Sequence, residues 1–275
     1  MKLSVITINY NNCEGLSKTI QSVVNQTWKE FEYIIIDGGS TDGSVDIIRE
    51  YDDKIAYWVS EPDKGIYHAM NKGIDVAKGE YCLFLNSGDS LFDKRVFSEV
   101  SVELNGTDIV TGTLMLDSGV YCLAPTEVTI PYFYTDCGSL SHPASFIKSH
   151  LLKKYHYDEE LKIVSDWKFF VQVLIMDGAS YKSISQIISI FDCTGVSMNN
   201  SELLLKERHY VLEYDFPKSI YTYFLDNTMD YDSQLYLIFK NSKFRKFFYT
   251  FNVLFMKVIS FFLGKKGVKN FPLKL

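Results

Sequence analysis

Two carboxylates stand at loop positions where chemistry is possible, Asp37 and Asp89. Asp37 closes the apolar run Phe31 to Ile36 and opens the loop Asp37-Gly38-Gly39-Ser40-Thr41-Asp42-Gly43. A carboxylate there can accept hydrogen bonds from a base or a ribose without being desolvated inside a core. The competing reading is a turn-forming Asp. Asp89 follows a second apolar run, Tyr81 to Leu85, through Asn86-Ser87-Gly88. Mg²⁺ or Mn²⁺ is commonly held by one or two carboxylates, with phosphate oxygens filling other positions. A single acid on a short, backbone-tight loop meets that need. Asp42 reads as a cap for the helix starting at Ser44, and Asp166, taken alone, as a cap for the segment after it. Five histidines are present; His68, His150, His156 and His209 show no metal-ligand spacing.

The elements that must position these residues alternate. Leu3 to Ile8 is a β-branched apolar run suited to a strand buried on both faces, and Asn9, Asn11 and Asn12 follow as a polar loop. Leu16, Ile20, Val23 and Val24 mark a helix face, Phe31 to Ile36 a second strand, and Val45 to Ile48 a helix start. Ala56 to Val59 is a third strand, Ile66, Met70 and Ile74 a helical stripe, and Tyr81 to Leu85 a fourth strand. This β-α-β-α-β-α-β order predicts a parallel α/β sheet with ligands beyond the carboxyl ends of its strands. From Asp108 the rhythm changes. Asp108 to Met115 and Val120 to Leu123 read as a hairpin around Asp117-Ser118-Gly119. Ser145 to Ile147 and Ile184 to Phe191 read as strands, with His142 in a strand-like context. Trp167 to Met176 reads as an amphipathic helix capped by Ser165 and Asp166.

Charge is uneven along the chain. The net charge is −6, but no acid occurs after Asp232, and nine basic residues lie from Lys240 to Lys274. Residues 1–232 therefore carry −15 and the remainder +9. The acidic body argues against nucleic acid as a partner. Over residues 243–264, Phe244, Phe247, Phe248, Phe251, Phe255 and Phe262 fall at helical spacing between basic residues. The run is short for a span and contains Asn252 and Lys257, which suits an interfacial helix; packing on the catalytic domain is the other reading. Five cysteines without C-x-x-C spacing, and an apolar first run interrupted at Asn9 and Asn11, set the expectation of a reducing, cytoplasmic location with buried or free thiols.

Order and spacing together are more specific than any one residue. The runs are Ser4-Val5-Ile6-Thr7-Ile8-Asn9-Tyr10-Asn11, Ile35-Ile36-Asp37-Gly38-Gly39-Ser40-Thr41-Asp42-Gly43, Glu61-Pro62-Asp63-Lys64-Gly65-Ile66-Tyr67, Ala69-Met70-Asn71-Lys72-Gly73 and Phe84-Leu85-Asn86-Ser87-Gly88-Asp89. They resemble family 2 glycosyltransferases of the GT-A fold, in particular bacterial enzymes of exopolysaccharide, capsule and O-antigen assembly, including those of the colanic acid type. The resemblance is strong over residues 3–90. It continues more weakly through His142-Pro143-Ala144-Ser145-Phe146, Ser165-Asp166-Trp167 and Gly195-Val196-Ser197, and it does not cover the tail.

The resemblance implies a mixed α/β sheet flanked by helices. Residues 1–200 would form the catalytic domain, with a nucleotide-binding half over 1–107 and an acceptor half over 108–200. Outside the resemblance, residues 201–275 read from their own pattern as a helical extension. It implies transfer of a sugar from a nucleotide-sugar donor, UDP being the family's commonest nucleotide, to a glycan acceptor, with a lipid-linked oligosaccharide expected. Mn²⁺ or Mg²⁺ would assist. The basic aromatic tail sets the separate expectation of a location at the inner-membrane surface. Thr7 and Asp37 would bind the nucleoside, with Asp37 facing the base. Asn9, Lys64, Asn71, Asn86 and Ser87 fall in donor-contacting segments. Asp89 would hold the metal, and Asp166 falls at the family's catalytic base. His142 and Trp167 are candidates for contact with the acceptor or the departing diphosphate, His142 being equally readable as a neutral structural histidine. One base and no protein nucleophile implies inversion. Two positions depart from the family pattern: Gly38 replaces the second of two consecutive acids, and Asn86-Ser87-Gly88-Asp89 stands for the commoner Asp-x-Asp.

Other classes fit less well. A dinucleotide-dependent oxidoreductase needs G-x-G-x-x-G after the first strand, which is absent. A sugar nucleotidyltransferase carries a glycine- and arginine-rich loop where this chain has Asn9-Tyr10-Asn11-Asn12. A sugar-nucleotide-binding scaffold without activity stays open because of Gly38 and Gly88.

Overall fold

The computed structural model describes residues 1–134, 138–193 and 200–221. Four strands carry the first half: β1 (Leu3–Asn9), β2 (Phe31–Asp37), β3 (Tyr57–Ser60) and β4 (Tyr81–Phe84). They lie side by side in the order β3-β2-β1-β4 and are parallel throughout. Every residue of β1 and β4 is buried, as continuous apolar runs require when helices cover both faces. The helices α1 (Cys13–Val24), α2 (Ser44–Glu50) and α3 (Ile66–Val76) make the crossovers.

The second half turns the sheet mixed. After the two-residue β5 (Ser90–Leu91) and α4 (Val96–Val100) come β6 (Ile109–Leu116), β7 (Tyr121–Cys122), β8 (Ser145–Lys148) and β9 (Tyr181–Phe191). β8 pairs antiparallel with β4 and β6, β9 runs parallel to β6, and β5 closes the path antiparallel to β9. The β6–β7 hairpin turns at Gly119, whose φ of 84° matches the turn expected around Asp117-Ser118-Gly119. The helices of this half are α5 (Ser149–Tyr155), α6 (Ser165–Phe170) and α7 (Ser201–Tyr214). The described residues fall within one compact unit, Met1–Tyr221.

Several local expectations are corrected. His142 lies in a 3₁₀ turn, His142–Ala144, rather than a strand, because Pro143 supplies no N–H to a ladder. The helix expected over Trp167–Met176 divides into α6 and a π-turn, Val171–Met176. Val164 occupies the cap position of α6, so Ser165 and Asp166 lie inside its first turn. Ile66 is exposed while Met70 and Ile74 are fully buried, so the helical stripe is shorter than its spacing suggested. Asn9 belongs to β1 rather than to the loop. Of the cysteines, Cys82 is core, Cys13 and Cys193 are half-buried, and Cys122 is exposed. Cys137, Asp136, the Gly195-Val196-Ser197 segment and the helix expected over residues 243–264 lie outside the described residues.

Candidate active site

A cleft of about 490 Å³ opens beyond the carboxyl ends of β1 and β4. Asn9, Tyr10 and Asp63 line one part of it, Asn86, Ser87, Asp89 and Asp192 another, and His142, Lys162 and Asp166 a third. The strand register explains the first group. Asn9, Asp37 and Ser60 are cross-strand neighbours on β1, β2 and β3, so three polar residues form one rung at the sheet's edge. Asp37 Oδ1 accepts from Asn9 Nδ2 (2.7 Å) and Ser40 Oγ (2.6 Å); Oδ2 accepts from Ser60 Oγ (2.6 Å) and the amides of Gly39 (3.2 Å) and Ser40 (2.9 Å). Burial raises the Asp37 pKa, but these bonds from Ser40, Ser60 and Asn9 outweigh it and hold the carboxyl below its ordinary value. Asp42 works similarly at two helix starts, accepting from the amides of Cys13 (2.8 Å) and Ser44 (3.1 Å).

The loop after β4 is tied down from α1. Thr19 Oγ1 donates to the Asp89 carbonyl (2.6 Å) and accepts from the Gly88 amide (3.0 Å), while Asn12 Nδ2 donates to the Ser87 carbonyl (3.0 Å). Asp89 is 2 % exposed. Its Oδ1 accepts from the Asp192 amide (3.0 Å) and its Oδ2 from the Asn86 amide (3.2 Å). Burial pushes its carboxyl up to about 6, against the opposing pull of the Asp192 amide and His142. Gly88 adopts φ 108°, and a Cβ placed there would lie 2.5 Å from Asp192 Oδ2. The Asp192 carboxylate thus fills the space beside Gly88. A buried carboxylate that resists ionisation, a second carboxylate beside it, and the buried, unpaired Asn86 Oδ1 form an oxygen-rich set that fits a hard divalent cation. Among the described residues no group of three or more His, Cys, Asp or Glu side chains forms a complete metal cage, so substrate oxygens would have to finish the shell.

The third group centres on Asp166. Its Oδ1 accepts from Tyr67 Oη (3.2 Å) and the Trp167 amide (2.9 Å), and its Oδ2 faces His142 Nδ1 (3.1 Å). His142 Nε2 faces Asn86 Nδ2 (3.3 Å). A proton on Nδ1 satisfies both contacts: the ring donates to Asp166 and accepts from Asn86. Asp166 is thereby linked to the Asn86–Asp89 loop by one ordered chain, and it lines the cleft. The single Tyr67 Oη proton is shared between Asp166 Oδ1 and the nearer Ile163 carbonyl (2.6 Å); the hydroxyl is held well above its ordinary pKa by burial and by the Asp166 charge.

The segment before α6 is held by α7. Glu207 accepts from the amides of Lys162 (2.8 Å), Ile163 (2.9 Å) and Val164 (3.3 Å). Glu207→Gln replaces one acceptor oxygen by an NH₂ group and leaves at least one of these amides unpaired. The expected destabilisation is about 1–3 kcal/mol, read from chemical denaturation. An unchanged midpoint would show that the clamp is dispensable.

Residues 4–120 match the model of the glycosyl transferase family 2. An uncharacterised glycosyltransferase of Mycobacterium tuberculosis is 33 % identical over 201 residues, which cover 70 % of this chain and 76 % of the relative. The chain belongs to glycosyltransferase family 2. It is a glycosyltransferase, and its fold is the GT-A fold. A PGL/p-HBAD biosynthesis glycosyltransferase of Mycobacterium bovis is 32 % identical over 176 residues, covering 62 % of this chain and 68 % of that one. Among solved structures, S. aureus TarS 1-349 in complex with UDP-GlcNAc aligns with a TM-score of 0.62 at 21 % identity, covering 83 % of this chain and 71 % of that one. The chain spans only 43 % of the longer TarS crystal structure. Mannosyltransferase PcManGT from Pyrobaculum calidifontis, in complex with GDP-Man and Mn²⁺, aligns at 0.54 and 15 % identity, covering 69 % of this chain and 56 % of that one.

Within this glycosyltransferase, the sequence-derived site residues separate into two sets. Asn9, Asn86, Ser87, Asp89, His142 and Asp166 line the cleft together. Four others do not. Thr7 is fully buried and bonded to Tyr33 Oη (3.0 Å). Asn71 clamps the backbone of Tyr157 through both its oxygen and its nitrogen, 2.8 Å each. Trp167 is buried, its Nε1 donating to the Phe133 carbonyl (3.2 Å) beneath the Arg208 guanidinium. Lys64 is exposed outside the lining, between Asp63 and Gly65. Asp37 likewise stands behind the cleft wall, with its lone pairs engaged. Sequence reasoning missed Tyr10, Asp63, Tyr67, Lys162 and Asp192. Tyr10 and Asp63 sat inside motifs already marked, which was the available signal. Lys162 and Asp192 carried none.

Proposed function

We propose that this enzyme transfers a sugar, with inversion, from a UDP-sugar to a lipid-linked glycan during assembly of a bacterial surface polysaccharide. The carrying observation is the Asn86–His142–Asp166 chain, which joins an acid-bearing loop suited to a metal-bound diphosphate to a separately mounted carboxylate in the same cleft. Asp166 Oδ2 takes the proton of the attacking hydroxyl while His142 and Tyr67 keep the carboxylate aimed. Direct attack with a single base inverts the anomeric centre. Lys162, exposed at the cleft and without an ion pair among the described residues, complements negative charge on the donor. Asp89 and Asp192 would hold Mn²⁺ or Mg²⁺, which when bound supplies neutralisation of diphosphate charge. The nucleotides named in the TarS and PcManGT structures support a nucleotide-sugar donor. The test is release of UDP from a panel of sugar donors, in membranes that contain the acceptor, with the anomeric configuration of the product read by NMR. Donor binding without turnover would instead mark a sugar-nucleotide-binding scaffold.

We assign the catalytic domain to residues 1–200 and a helical extension to 201–275 whose first helix, α7, packs on that domain through Glu207, and place the enzyme on the cytoplasmic face of the inner membrane. Among the described residues no helix is long and apolar enough to cross a membrane. The aromatic and basic residues of 243–264 suit a surface-lying helix. Deleting residues 241–275 should move the protein from the membrane to the soluble fraction with UDP binding intact, because Met1–Tyr221 is a compact unit by itself. A truncated protein that misfolds would place the tail in the core and sink the idea.

A further inference from the structure

The cleft holds one acid that the reading above leaves without a task. Asp63 lies between β3 and α3 and lines the cleft. Its Oδ1 accepts from the Gly65 amide (2.8 Å), where Gly65 turns the chain at φ 127°. No other hydrogen bond or ion pair engages Asp63 among the described residues, which leaves Oδ2 open. The position of that oxygen is unusual. A Cβ built on Gly38 would lie 2.6 Å from Asp63 Oδ2 and 3.1 Å from Tyr10 Cδ2. The carboxylate and the ring together occupy the space that a side chain at residue 38 would fill. Tyr10 is 67 % exposed, although it follows a fully buried strand. An exposed ring lining a cleft beside an open carboxylate oxygen offers a planar ligand a face to stack on and an acceptor at its edge.

We infer that Asp63 reads the nucleobase of the donor, accepting the imide N–H of a uracil-type ring that stacks on Tyr10. The inference rests on the nucleotide-sugar reading and names the group that selects the base. Asp37 cannot do this, because five donors already occupy its carboxylate. One free oxygen matches one ring N–H. Guanine presents an adjacent pair of donors and is best met by both oxygens of a carboxylate, one of which Gly65 has taken. Cytosine carries a lone pair at the corresponding ring nitrogen and would meet Oδ2 acceptor to acceptor. Uracil and thymine share the imide, so UDP and dTDP are both competent for this contact. Gly38 has a matching requirement: only a residue without a side chain leaves Asp63 room to reach the cleft.

The substitution Asp63→Asn makes the inference sharp. The amide oxygen can keep the Gly65 contact, which turns an NH₂ group toward the base. That group opposes the imide N–H of uracil and complements the bare ring nitrogen of cytosine. Calorimetry on the full chain with Mn²⁺ and UDP, dTDP, CDP or GDP measures the preference directly, alongside thermal melts. The parent should bind UDP on the order of tenfold or more tighter than CDP, and D63N should erase or reverse that ratio. If D63N fails to fold, Gly38→Ala gives the same readout by displacing Asp63, and the ratio should again collapse. A parent that prefers GDP or CDP, or a UDP to CDP ratio unchanged in the folded variant, overturns the inference while leaving the nucleotide-sugar reading in place. A parent that binds none of the four nucleotides overturns both.

Discussion

Asp166→Asn is expected to fold, to bind UDP with a metal response weakened no more than in Asn86→Ala, and to lose sugar transfer by about 10²–10⁴-fold. The reason is local. The amide oxygen can still accept from Tyr67 Oη and the Trp167 amide, the two bonds that hold Oδ1. The new NH₂ group faces His142 Nδ1, which then has to accept rather than donate. The ring proton moves to Nε2, and a rotation of the Asn86 amide offers Oδ1 to it. The rotation turns the Asn86 NH₂ group into the buried position that Oδ1 holds without a partner in the parent, so the His142 contacts are rebuilt while the oxygen set beside Asp89 loses one member. What cannot be rebuilt is a lone pair of carboxylate basicity at the position of Oδ2. Single-turnover transfer and nucleotide titration, run on protein whose melt matches the parent, separate the two effects. Loss of stability with transfer retained in the folded fraction would make Asp166 a structural residue. The base would then have to be found elsewhere in the second half. Asp158 is a poor substitute, since Lys168 (2.8 Å) and the Glu160 amide (3.0 Å) engage it away from the cleft lining.

The parts of this enzyme that were readable from sequence are those where one residue's environment decides its structure. β1, β2 and β4 are buried on both faces, so their apolar runs announce them, and the loops that end them inevitably lie at the ligand edge of a parallel sheet. The same double burial hides where a polar side chain points. Thr7 turns into the core toward Tyr33, and Asp37 is consumed by the rung that Asn9 and Ser60 complete. Asn71 was legible as a donor contact only by analogy; its partner, the Tyr157 backbone, lies 86 residues away. The two glycines that depart from the family pattern show the limit clearly. Gly38 and Gly88 read as lost acids. In three dimensions each has a carboxylate beside it, Asp63 in one case and Asp192 in the other. Asp192 is 103 residues from the Asp89 side chain that its amide contacts. No local pattern carries that information, because the pairing of β9 with β6 and β5 is what brings Asp192 to the loop.

That delivery bears on the metal. Asp89→Asn should abolish Mn²⁺-dependent tightening of UDP binding, Asp192→Asn should weaken it strongly, and Asn86→Ala should weaken it less than either. Asp89 is buried, and its carboxyl is pushed up to about 6 from an ordinary 3.8. The sign follows from linkage: between those two values the folded state holds a proton that the unfolded chain has lost, so stability falls as pH rises, and above about 6 the penalty is constant. At neutral pH the ionised group therefore costs the metal-free fold about 3 kcal/mol. Asparagine avoids that cost, although its NH₂ group must face one of the two backbone amides that the carboxylate accepts from, at about 1–3 kcal/mol. These terms oppose each other, so the metal-free variant should melt close to the parent while its metal response is gone. A purely structural Asp89 predicts the reverse, a lower melt with UDP binding still sensitive to Mn²⁺. Calorimetry with and without Mn²⁺, paired with melts at pH 7, distinguishes them. Unchanged metal dependence in both the Asp89 and Asp192 variants would place the ligands outside this loop, and with them the expectation that Gly88 is compensated from β9.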